Sequence, residues 1–105
     1  MLGVRDARQV AWRRQHAQRH YVGYVTVTEE SVRLAGREQT TGIDVALSIP
    51  HTAIRDVRVG TRSTELVDGE LSVILELRDD EPIYVRPLGD PPLDLDGFAR
   101  RFRAG

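Results

Sequence analysis

The 105-residue chain contains no cysteine, no lysine and no asparagine. Without cysteine it has no disulfide framework, no thiolate zinc site and no cysteine nucleophile. Long hydrophobic runs are missing too: the longest is three residues, as in Val73-Ile74-Leu75, whereas a spanning helix needs about 20. A secretory leader is not expected, because arginines from Arg5 to Arg19 are scattered where its apolar stretch would stand, and the default expectation is a cytoplasmic protein. Glycine-rich phosphate loops are lacking as well. What remains is a chain that is 40% hydrophobic. At this length folding buries roughly two-thirds of the exposed surface, enough for one core without staples.

All 15 basic side chains are arginine, against 16 acids, for a net charge of −1. That near-neutral total conceals segregation. Residues 1–28 carry +4, residues 29–99 carry −8, and Arg100, Arg101 and Arg103 return +3.

Residues 2–19 lack proline and are dominated by Ala, Arg and Gln, which are good helix formers. Val4, Ala7 and Ala11, with Val10 and Trp12 beside them, form a thin apolar stripe at spacings of three and four. The reading is an N-terminal amphipathic basic helix over residues 1–19, ahead of a β-body over residues 20–105. From Tyr21 the period changes to two, with strands over 20–28 and 31–35 joined by a Glu29-Glu30 turn. Ile43, Val45, Leu47 and Ile49 alternate with polar or small residues up to Pro50, which ends that strand. Ile54–Val59 runs on as the next. Leu66-Val67 is a weak strand before the Asp68-Gly69 turn, and Leu71–Leu77 with Ile83–Val85 reads as a hairpin. At the C-terminus Leu95, Phe98, Ala99 and Phe102 share one helical face, with Asp94 placed to cap the first turn and arginines near the last.

The predicted fold is mainly β: six or seven antiparallel strands capped by a C-terminal helix, with the extra helix in front, in one domain. Three patterns carry a family resemblance. They are Gly23 to Leu34 as an opening hairpin, Ile49-Pro50 followed by Ile54, Val57 and Val59, and the Val73-to-Val85 hairpin with its terminal helix. Over residues 20–103 the chain thereby resembles the bacterial pleckstrin-homology-like (PH-like) and GRAM-like domains. The resemblance implies a barrel of two nearly orthogonal sheets that binds lipids, peptides or sister subunits and seldom performs chemistry. Phosphoinositide-binding members use basic residues on the first hairpin. Here that turn reads as Glu29-Glu30, which repels phosphate and argues against head-group binding.

His16 and His20 stand at i, i+4, a spacing able to share a metal, but the general-base glutamate of H-E-x-x-H is absent and no third ligand is evident. Two exposed histidines are the plainer reading, and no cofactor or metal is expected. Nor is a catalytic constellation visible, since His51 and the serines lack a patterned partner. Asp79-Asp80-Glu81 reads as a solvated turn. Arg55, Arg58 and Arg62 are candidates for an anion-binding rim, with interspersed acids as the competing explanation. The arginine-rich N-terminus is the strongest interface candidate: Val4, Ala11, Trp12 and Tyr21 as apolar anchors, and Arg5, Arg8, Arg13 and Arg14 as rim. The function expected is a non-catalytic module that binds a protein partner or itself as a homo-oligomer. Its alternative is an anionic-surface binder acting through the same arginines. For that alternative, nucleic acid is disfavoured by the acidic body and sparse aromatics, which leaves peripheral membrane contact.

Overall fold

A period of two in side-chain polarity needs a sheet with one covered face, and this chain builds nearly all of itself that way. The computed structural model describes residues 7–16, 19–89 and 94–103. Its elements are β1 (Arg8–Arg14), β2 (Tyr21–Val27), β3 (Ser31–Glu38), β4 (Asp44–Pro50), a 3-10 turn (His51–Ala53) and β5 (Ile54–Val59). A second 3-10 turn (Ser63–Glu65), β6 (Leu66–Val67), β7 (Glu70–Leu71), β8 (Val73–Leu77), β9 (Ile83–Pro87) and the helix α1 (Leu95–Arg103) follow. Seven strands form one antiparallel sheet in the order β4-β3-β2-β1-β9-β8-β5, while β6 and β7 pair separately as a short ribbon. The sheet curls as a half-barrel around a core that includes Val10, Trp12, Val25, Leu34, Leu75, Ile83 and Val85.

The expected N-terminal helix is not present among the described residues. Residues 8–14 are instead the central strand of the sheet, paired with β2 on one side and β9 on the other. The reason is burial on both faces. Val10 and Trp12 enter the main core, whereas Ala11 joins Val67, Ile74 and Tyr84 in a second cluster beneath the β6–β7 ribbon. Tertiary pairing of this kind overrides the modest helix preference of Ala, Arg and Gln. The boundary expected at residue 20 consequently falls between two paired strands of one sheet. A second consequence is that the first antiparallel pair is β1–β2, and not the one closed by Glu29-Glu30. The Glu29-Glu30 turn links β2 to β3, and Thr28 Oγ1 organises it by accepting the Ser31 N–H at 3.0 Å.

Two paired glycines let β2 and β3 approach closely. Gly23 on β2 faces Gly36 on β3, and a Cβ on Gly23 would lie 2.1 Å from the Ala35 carbonyl oxygen. Only a residue without a Cβ permits so close an approach of backbone to backbone. At Gly36 the freed space holds the Trp12 indole, which donates to the Ala35 carbonyl at 3.3 Å and stacks on Tyr21 at 4.4 Å between centroids.

The strand expected over Leu71–Leu77 divides at Ser72. Leu71 belongs to the ribbon and is exposed, whereas Val73, Ile74 and Leu75 are fully buried. Ser72 is buried too, with its hydroxyl donating to the Glu65 carbonyl at 3.1 Å and its own carbonyl accepting the Gly60 N–H at 2.8 Å. Asp68 and Gly69 both take positive φ between β6 and β7, as a tight two-residue hairpin requires.

The C-terminal helix is as expected. Phe98, Ala99 and Phe102 are buried in the main core with Leu95 packed beside them. Asp94 Oδ1 accepts the Gly97 N–H at 2.7 Å and so caps the first turn.

Candidate functional site

The arginines that segregate in the sequence are largely committed to the fold. Arg13 on β1 donates from Nε to the Leu66 carbonyl and from Nη2 to the Thr64 carbonyl, both at 3.0 Å. Its guanidinium lies over the Tyr84 ring at 4.6 Å. It therefore ties the Ser63–Val67 segment to the centre of the sheet. Arg14 pairs with Asp80 at 3.1 Å, across the turn between β8 and β9. Arg8 shares the inward face of β1 with Val10 and Trp12, and its buried Nε has no acceptor among the described residues. Of the apolar anchors expected at an interface, Ala11 and Trp12 are each 1% exposed and Tyr21 packs on the core. Ala11 and Trp12 are enclosed within their own chain, and Tyr21 is partly buried there. Val4 and Arg5 lie outside the described residues.

The arginines of the expected anion rim meet carboxylates instead. Arg58 donates from Nε to Glu76 at 2.8 Å and from Nη2 to Glu65 at 2.5 Å, while Arg55 donates to Glu76 at 3.0 Å. Arg62 contributes its backbone N–H to the Glu65 carboxylate at 3.1 Å, alongside the Thr61 N–H at 2.9 Å. Glu65 is the buried hub of this network. The Arg58 hydrogen bond, reinforced by the two backbone N–H groups, overcomes burial and lowers its pKa to about 2. The arrangement is a neutralised internal lattice that fastens the 61–65 loop to β5 and β8. Glu65 is one of the acids interspersed among the rim arginines in the sequence. Its place three residues after Arg62, where it receives that N–H, is the local signal that was there to be read.

Two concave surfaces stand out among the described residues. The first, about 390 Å³, opens where the end of β4 approaches the β8–β9 turn. Leu47, Ile49, Ala53, Leu77 and Ile83 line it, with the Arg14–Asp80 pair at its rim. The second is a shallow depression of about 370 Å³ on the outer face of β2, β3 and β4. Strand register builds it: Tyr24, Ala35 and Ala46 fall in one row across the three strands. The ion pair between Arg37 and Asp44, at 3.1 Å, borders that row.

Glu38 fixes the approach to this face. Its buried carboxylate accepts the Thr41 hydroxyl at 2.6 Å and the Thr41 N–H at 2.5 Å, which lowers its pKa to about 2. The Gly42 N–H returns to the Glu38 carbonyl and the Glu38 N–H donates to the Ile43 carbonyl, each at 2.8 Å. The β3–β4 turn is thus held in a form that leaves Ile43 exposed at the head of β4.

The histidines are dispersed. His51 Nε2 is hydrogen-bonded to the Thr28 carbonyl at 2.7 Å, and His20 Nδ1 lies 3.3 Å from Asp68. His16 follows β1 and His20 precedes β2, and neither lies in a helix among the described residues. Among the described residues no three His, Asp or Glu side chains converge as a metal site would require, and no helix is long and apolar enough to cross a membrane. Comparison with protein-family models, with curated proteins and with solved structures finds no match for this chain.

Proposed function

We propose that the protein is a non-catalytic PH-like module that works through protein–protein contact, with itself or with a separate partner. Support for the PH-like reading comes from seven antiparallel strands and a C-terminal helix that closes onto the core. The observation that carries the functional reading is the distribution of exposed apolar surface. Tyr24 is 55% exposed on the outer side of β2–β4, and Ile43, at the head of β4, is 59% exposed. The neighbouring depression is lined by Val22, Tyr24, Ala35 and Ala46, with the paired Arg37 and Asp44 at its side. Small and aromatic residues on a firm sheet are suited to packing against another protein.

The second reading is anionic-surface binding, and exposed Arg19 between β1 and β2 supports it. The β1–β2 turn carries exposed Arg19, with His16 and His20 beside it, in place of the acidic pair expected there. Arg13 and Arg14, however, are occupied by carbonyls and by Asp80. The test compares two assays on the full chain. Light scattering is expected to give a mass above 11.8 kDa for a self-associating module. Sedimentation with anionic vesicles is expected to leave it in the supernatant. A monomer that pellets with the vesicles, and is released by salt, would overturn the protein-contact reading in favour of the second.

A further inference from the structure

The two edges of the half-barrel are treated differently. At β5 a register shift between Ile54 and Asp56 interrupts the ladder. The outward groups of Val57 are covered as well: Asp56 accepts its N–H at 2.8 Å and Arg103 donates to its carbonyl at 2.6 Å. These are the usual ways in which an edge is closed to further strands. At β4 none of them operates. The hydrogen-bonded pairs between β3 and β4 begin with Glu38 and Ile43 and include Glu30 with His51. Antiparallel alternation therefore turns Val45, Leu47 and Ile49 toward β3, and leaves the backbone groups of Asp44, Ala46 and Ser48 pointing away from the sheet. Among the described residues nothing bonds to them, and the strand has no bulge and no proline before Pro50.

We propose, resting on the self-contact form of the reading above, that β4 pairs antiparallel with β4 of a second copy about a two-fold axis at Ala46. Three features of the chain select this occupant and this register. Pairing about Ala46 sets Ile43 of one copy opposite Ile49 of the other, on the inner side of the strands, which covers the most exposed large apolar residue described. On the outer face the row becomes Tyr24, Ala35, Ala46, then Ala46, Ala35 and Tyr24 of the second copy, a strip of small residues between two rings. The third feature is charge. Arg33, paired in register with Ser48, is exposed and has no acid partner among the described residues. The same register puts Asp44 of the second copy opposite Ser48, two strand spacings or about 10 Å from the Arg33 backbone, within reach of a guanidinium over a serine. The axis also keeps the two Asp44 side chains apart and forms about six new backbone hydrogen bonds.

Residue 46 faces its own equivalent, so a charge swap tests the geometry. Equilibrium sedimentation of the full chain is expected to give about twice 11.8 kDa for the wild type. Ala46→Arg and Ala46→Asp are each expected to be monomers, because like charges meet at the axis, and their equimolar mixture is expected to regain the dimer mass. Both substitutions lie on the exposed outer face, and restored pairing in the mixture shows that both chains fold. A wild type that remains monomeric at all concentrations would overturn this proposal while leaving a module with a separate partner. A wild-type oligomer whose mass neither substitution changes would overturn β4 pairing alone. Failure of the broader protein-contact reading has a different signature, salt-reversible pelleting of a monomer with anionic vesicles.

Discussion

Replacing Glu65 by Gln removes one charge from the buried hub and almost no volume. The amide oxygen can still accept from the Thr61 and Arg62 N–H groups, at 2.9 and 3.1 Å in the wild type, but the amide nitrogen then meets the Arg58 guanidinium donor against donor. A charge-assisted hydrogen bond of this kind contributes about 1.5–3 kcal/mol. Arg58 is itself 39% exposed and can be rehydrated, so the full cost of stranding a buried ion does not apply. The expected loss is about 2–3 kcal/mol at pH 7, or roughly 8–20 °C in Tm for a domain of this size. The pH dependence has a definite sign. Glu65 titrates at about 2 in the fold against an ordinary value of 4.5, so its contribution is complete above 4.5 and disappears as pH falls toward 2. Urea unfolding of both proteins at pH 7 and pH 2.5 measures the difference. The penalty should shrink to about 1 kcal/mol at the lower pH, where the carboxyl is neutral in the unfolded chain and partly protonated in the fold, so that most of its contribution is already lost. A penalty below about 0.5 kcal/mol at pH 7, or one that is equal at both pH values, would refute the reasoning.

Other perturbations test the rest of the architecture. Gly23→Ala forces a Cβ to within 2.1 Å of a backbone oxygen, and should cost at least about 3 kcal/mol or abolish folding. Gly42→Ala, in open space at φ +74°, should cost about 1 kcal/mol, from backbone strain alone. Thermal melts of the two variants give the comparison. Trp12→Phe loses the indole bond to the Ala35 carbonyl and part of the Tyr21 stack, for an expected loss of about 1–3 kcal/mol by denaturant titration. Deletion of residues 1–14 should eliminate the cooperative unfolding transition, since it removes the strand between β2 and β9. A truncated chain that melts like the full one would show that β1 is dispensable.

The elements that sequence periodicity reads well are those with one face in the core and one in solvent. From Val45 to Ile49 the alternation is legible residue by residue, and in α1 the i, i+3, i+4, i+7 pattern places Phe98, Ala99 and Phe102 where they are buried. β1 is not legible this way, because Val10, Ala11 and Trp12 are buried on both sides and show no period at all. Their short apolar run sits among arginines whose partners, the Leu66 and Thr64 carbonyls and Asp80, are 50 or more residues away. With β1 a strand, the first hairpin is β1–β2, and the acidic Glu29-Glu30 turn belongs to the next one. The outer row of Tyr24, Ala35 and Ala46 escaped for a related reason: each residue is unremarked in its own strand, and only cross-strand register brings the three together.

Amide hydrogen exchange of the full chain, followed as protein concentration is raised, addresses the open edge most directly. The account predicts that the Asp44, Ala46 and Ser48 N–H groups exchange quickly in dilute protein and become protected as copies associate, while Val45, Leu47 and Ile49, already bonded to β3, change little. Equally fast exchange at Ala46 and Ser48 at every concentration would contradict it.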